Sequence, residues 1–183
     1  GAWRQRLALA CAIVHRPPML FLDEATAGVD PVARREFWDL IYSMAAQGTS
    51  VLATTHYMDE ADYCNTIGMM YRGELIAVAS PDTLKENMPG QLVQIDCDRP
   101  AEAEGVLDSL PEVIDSALHG VLVHATLRET GLQADVEQAL TQAGITVRSI
   151  EPTLPSLEDV FITMVAQRRA EVEGARAPEE TGD

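Results

Sequence analysis

The most constraining stretch of the chain is PPMLFLDEATAGVDP, Pro17 to Pro31. Four apolar residues, Met19 to Leu22, run straight into two adjacent carboxylates, Asp23 and Glu24. A short apolar run of this kind predicts a strand buried on both faces, as in a parallel sheet. Asp30-Pro31 then opens a helix, an N-cap followed by proline at the first helical position. Strand, small-residue turn and capped helix together specify an α/β unit whose strand delivers acidic side chains to the carboxyl edge of a sheet. That edge is where such folds bind ligands.

The rest of the first half keeps the alternation. The spacing of Leu7, Ala10, Cys11 and Val14 is helical. The helix from Pro31 is expected to reach about Gln47, burying Phe37, Leu40, Ile41 and Met44, with Gly48 at its C-terminal end. Ser50 to Thr55 reads as the next strand, and HYMDEADYC as a short helix. TIGMMYRGELIAVAS reads as a hairpin turning at Arg72-Gly73. Ser80-Pro81 is a second cap-plus-proline helix start. The expected fold class is α/β: a partial P-loop NTPase-like parallel sheet with helices, followed by a small α+β ferredoxin-like domain.

ENMPG, Glu86 to Gly90, reads as the boundary between them. Beyond it the order strand, helix, strand, strand, helix, strand suggests the ferredoxin-like arrangement. Ser156 caps a last helix with Asp159 three residues on. Leu157, Val160, Phe161, Met164 and Val165 form its apolar face. The expected domains are 1–88, 91–167 and a disordered acidic tail over 168–183.

The formal charge is -16 over 183 residues, with -4 in residues 1–90 and -12 in 91–183. A surface this acidic repels phosphate backbones and anionic lipid heads, so direct nucleic-acid binding is not expected. The three cysteines, Cys11, Cys64 and Cys97, have no metal-ligand spacing and read as reduced core residues. LALACAIV, Leu7 to Val14, is far short of a membrane span.

Three pieces carry chemistry. Asp23, at the end of its strand, offers oxygen to a hard cation such as Mg2+, directly or through water. Glu24, one residue on, can orient or deprotonate a water. His56 follows the second strand, at the same sheet edge, where its imidazole can donate to a phosphate oxygen. Taken singly, each has a plainer reading as a cap, turn or core residue.

Taken together, their order resembles the second half of the nucleotide-binding domain of ABC transporter ATPases. Gly1-Ala2-Trp3-Arg4-Gln5-Arg6 is similar to the end of that family's signature motif, with Ala2 where a second glycine is usual. Leu20 to Glu24 is similar to its Walker B strand, Ala27-Gly28-Val29-Asp30 to its D-loop, and His56 to its switch histidine. TTHYMDEADYC, RGELIA and PSLEDVFITMV resemble the multidrug- and daunorubicin-resistance-type export ATPases.

The resemblance implies ATP and Mg2+, with Glu24 and His56 catalytic and Asp23 at the metal. It implies that Gly1 and Ala2 face ATP held by the opposite subunit, and that Asp30 links the two sites. The implied partners are a second copy in a homodimer and a membrane subunit, which would hold the protein on the inner, cytoplasmic face of the cell membrane. The phosphate-cradling GxxxxGK[ST] loop does not occur in these 183 residues. The expectation is therefore a C-terminal piece of a longer ATPase, inactive alone. A non-transport ABC ATPase and a non-catalytic regulatory or dimerisation module are the alternatives.

Overall fold

A computed structural model of the chain describes residues 2–174. It divides into two compact units, 1–64 and 65–183.

In the first unit, α1 (Ala2–Ile13), β1 (Met19–Asp23), α2 (Pro31–Ala46), β2 (Ser50–Thr54) and α3 (Met58–Ala61) follow one another. β1 and β2 pair in parallel, Met19 opposite Ser50 through Asp23 opposite Thr54. The helix start at Asp30 is realised as expected: its carboxylate accepts the Ala33 N–H at 3.0 Å, and Pro31 is the first helical residue.

The unit's core is Leu9, Leu20, Phe37, Trp38 and Ile41. Three expectations change here. β1 is covered on one face only among the described residues: Leu20 is buried, whereas Phe21 and Leu52 on the other face are 68% and 55% exposed. The helices α1 and α2 pack on the Leu20 side. The buried residue of α1 is Leu9 rather than Leu7, and Val14 is 83% exposed. LALACAIV is apolar around its whole circumference, so periodicity alone could not choose a face. Of the cysteines, Cys97 alone is buried, while Cys11 is exposed and Cys64 half-buried.

The second unit opens with the hairpin β3 (Ile67–Tyr71) and β4 (Glu74–Ala79), then α4 (Pro81–Glu86). Arg72 and Gly73 turn it at φ 51° and 82°, the double left-handed geometry of a two-residue hairpin turn. There follow β5 (Gln91–Cys97), α5 (Pro100–Leu107), β6 (Val113–His119), β7 (Leu122–Leu127), α6 (Gln133–Gln142), β8 (Val147–Pro152) and α7 (Leu157–Gly174). The four later strands form one antiparallel sheet in the order β6-β7-β5-β8.

Strand alternation divides this sheet cleanly. Val93, Ile95, Val123, Ala125 and Leu127 point to one face and join Ala103 and Leu107 of α5 and Val136 and Leu140 of α6 in the main core. Each Val, Leu or Ile among them, fully buried, contributes about 1.5–3 kcal/mol. The other face bears Thr126, whose hydroxyl meets that of Thr163 on α7 at 3.2 Å, and His124, which faces Asp159.

α7 corrects the expected tail. The helix does not stop at Gln167 but continues through Gly174. Arg168 pairs with Glu74 at 3.0 Å, and Arg169 donates to the Tyr71 hydroxyl at 2.9 Å. These contacts to the hairpin give an otherwise polar segment something to hold. Residues 175–183 lie outside the described residues. The units divide after Cys64, so the hairpin falls in the second unit.

Candidate functional site

Both strands of the first unit end at one edge, because parallel pairing brings their carboxyl ends into register. Asp23 and Thr54 face each other there. The Thr54 hydroxyl donates to Asp23 Oδ1 at 2.5 Å and accepts the Glu24 N–H at 3.0 Å. One hydroxyl thereby fixes the orientation of both acidic residues.

Glu24 has a left-handed backbone, φ 44°. A non-glycine residue rarely adopts this, and it costs on the order of 1–2 kcal/mol. It turns the chain sharply at the strand end, so the Glu24 side chain leaves the sheet in a different direction from Asp23. Ala27 N–H closes the following turn onto Glu24 O at 3.0 Å, and Val29 N–H onto Thr26 O at 3.0 Å.

His56 approaches from the β2 side. Its Nδ1 lies 3.4 Å from Glu24 Oε1, and both side chains are 56% exposed. The ring rests against Tyr57, centroids 4.2 Å apart. Asp23, Glu24 and His56 are therefore brought to one edge. Asp30 stands seven residues beyond Asp23 and is engaged in capping α2. Ala2 begins α1, and Gly1 lies outside the described residues.

Sequence reasoning missed the layer beneath. Glu60 is 1% exposed and takes hydroxyl hydrogen bonds from Thr26 at 2.5 Å and Thr55 at 2.8 Å. Arg34, in the first turns of α2, joins this layer. Its side chain is 17% exposed, 3.3 Å from Glu60 and 3.2 Å from Asp59, and lies over the Tyr57 ring at 4.2 Å. The signal lay in paired threonines at strand ends and in an acidic residue inside HYMDEA, each unremarkable until the fold joins them.

Residues 80–165 match the family model described as ATP-binding protein DrrA1-3-like, C-terminal domain. The daunorubicin resistance ATP-binding protein DrrA2 of Streptomyces coeruleorubidus is 35% identical over 184 residues, covering 97% of this chain and 57% of that protein. The chain is similar to ABC transporter ATP-binding proteins.

Two further relatives show the breadth of the similarity. The probable multidrug ABC transporter ATP-binding protein YbhF of Escherichia coli is 60% identical over 83 residues, 45% of this chain and 14% of that protein. The Nod factor export ATP-binding protein I of Sinorhizobium fredii is 31% identical over 170 residues, 91% of this chain and 47% of that protein. The chain thus spans about half the length, or less, of these curated relatives. No helix among the described residues is long and apolar enough to cross a membrane.

The arrangement suits ATP chemistry in its donor types. Asp23 gives hard oxygen, which Mg2+ prefers, and one carboxylate is enough when phosphate oxygens and water complete the shell. No group of three or more His, Cys, Asp or Glu able to hold a metal occurs among the described residues. A closed, all-protein metal cage is thus not what these residues build.

Proposed function

We propose that this chain contributes to the ATP-hydrolysing subunit of an ABC export system, acting on drug- or lipid-like cargo through a separate membrane subunit. The observation that carries the reading is the 3.4 Å approach of His56 to Glu24 at the carboxyl edge of two parallel strands, beside Asp23. The relatives named for daunorubicin resistance, multidrug transport and Nod factor export support the export class.

Each residue has a definite task. Asp23, held by Thr54, would hold Mg2+ directly or through water. Magnesium bound there supplies charge neutralisation at the phosphates. Glu24 presents Oε1 to His56, and its second oxygen remains accessible to a water whose proton it can accept. His56 fixes Glu24 and carries a second ring nitrogen for a phosphate oxygen. Asp30, Gly1 and Ala2 are assigned to the contact between two copies, where ATP binding closes a homodimer and hydrolysis reopens it.

We place the second functional domain at 91–167, with residues 1–88 belonging to nucleotide handling. The strand order β6-β7-β5-β8, all antiparallel, with α5 and α6 on one face, supports a ferredoxin-like fold for it. The 183 residues alone, lacking GxxxxGK[ST], are expected to turn over no ATP. The deciding experiment is Glu24→Gln in the complete protein. ATP binding should persist while hydrolysis nearly stops. Unchanged hydrolysis would remove Glu24 as the base.

A further inference from the structure

Glu60 is the only buried charged residue among the described residues. A carboxylate out of water must be matched by donors or it destabilises the fold. Its partners come from three separate places, two of them hydroxyl donors and the third a guanidinium that pairs with its charge without a hydrogen bond from Nε. Thr26 binds Oε1 at 2.5 Å, Thr55 binds Oε2 at 2.8 Å, and Arg34 Nε stands 3.3 Å from Oε1.

The location of those three partners is the point. Thr26 lies two residues past Glu24, in the turn after β1. Thr55 immediately precedes His56, in the turn after β2. Arg34 belongs to the first turns of α2 and also covers the Tyr57 ring. The Thr55 hydroxyl in turn accepts the Tyr57 N–H at 3.0 Å. Glu24 and His56 sit on irregular connections and are each more than half exposed, so their own packing does little to fix their separation. The connection between the two turns runs underneath, through one buried carboxylate.

We infer that Glu60 is a positioning residue: it clamps the Glu24 turn to the His56 turn and so sets the distance between those two side chains. The inference rests on the reading of Glu24 and His56 as the catalytic pair. Small displacements of reacting groups are costly, about 100-fold in rate for 1 Å. The clamp therefore acts on turnover rather than on nucleotide affinity.

The test uses the complete protein with Mg2+ and ATP, and removes hydroxyls without changing shape. Thr26→Val with Thr55→Val should lower kcat by about 100-fold, while KM for ATP stays within about twofold, as for an interaction felt only in the transition state. Thr26→Ser with Thr55→Ser keeps both hydroxyls and should restore turnover. Wild-type kcat in the valine variant, or serine variants as impaired as valine ones, would overturn the inference.

A second readout is independent of catalysis. Thr26→Val alone should speed amide exchange at Tyr57, which Thr26 does not touch, by about tenfold. Unchanged exchange there means that no clamp exists. If instead Glu24→Gln hydrolyses ATP normally while Tyr57 exchange responds to Thr26→Val, the clamp stands and the catalytic reading falls.

Discussion

His56 Nδ1 and Glu24 Oε1 stand 3.4 Å apart although they leave different strands, 32 positions apart in the chain. Parallel pairing of β1 and β2 makes this possible, since it aligns the two carboxyl ends. His56→Ala in the complete protein should lower ATP turnover by about 100-fold or more, the usual range for a group assisting proton transfer. Steady-state hydrolysis at saturating ATP measures it. Turnover within twofold of wild type would mean that the pair is only a surface contact.

Thr54 orients two acidic residues with one hydroxyl. Thr54→Val keeps the shape and removes both hydrogen bonds. Each contributes about 0.5–1.5 kcal/mol, so denaturant unfolding should show a loss of about 1–3 kcal/mol. Magnesium dependence of turnover should also shift to higher concentration, because Asp23 loses its restraint.

Asp115 and Asp159 should move stability in opposite directions. Burial, with Asp108 and Glu104 nearby, pushes Asp115 above the ordinary aspartate value of 3.8. Its charged form is disfavoured by folding, so Asp115→Asn should raise the unfolding temperature at pH 7. That gain should fade as pH falls toward 3.8. Burial would also raise Asp159, but hydrogen bonds from Ser156 and the adjacent His124 outweigh it and hold the carboxyl low. Asp159→Asn should lower stability at pH 7. The wild-type advantage should vanish as acid protonates Asp159 through its depressed folded-state value. Thermal melts from pH 3 to 7 measure both.

The reciprocal cap of α7 gives a separate stability test. Ser156 Oγ accepts the Asp159 N–H at 3.1 Å, and Asp159 accepts the Ser156 N–H at 2.8 Å. Ser156→Ala should cost about 1 kcal/mol, read from chemical denaturation.

Two glycines with positive φ should respond unequally to alanine. At Gly90, φ 81°, an added Cβ would meet Leu127 O at 2.2 Å, whereas at Gly73, φ 82°, it meets open space. Gly73→Ala carries only the conformational cost of about 1–2 kcal/mol. Gly90→Ala also forces β5 and β7 apart, so its loss should be clearly larger in the same melts.

Local signals in the sequence were legible where a few neighbouring residues decide the outcome. Asp30-Pro31, Ser80-Pro81 and Arg72-Gly73 each specify a cap or turn, and each appears where expected. Faces were less legible. The LALACAIV stretch is apolar all round, so only the fold selects Leu9. α7 outruns its apolar stripe because Arg168 and Arg169 find Glu74 and Tyr71 almost a hundred positions earlier. The candidate site was read as three carriers of chemistry. Its support, Glu60 with Thr26, Thr55 and Arg34, depends on side chains up to 34 positions apart meeting in space, and no spacing rule announces that.

The backbone of Glu24, at φ 44°, leaves one position where robustness and chemistry pull against each other. Glycine there would relax the bend at no steric cost, and asparagine would tolerate it better than glutamate does. Either change should make the protein harder to unfold while emptying the position of its proton acceptor. A search for hardier variants would therefore drift toward inert ones at residue 24, and a screen that scores heat resistance alone would select them first.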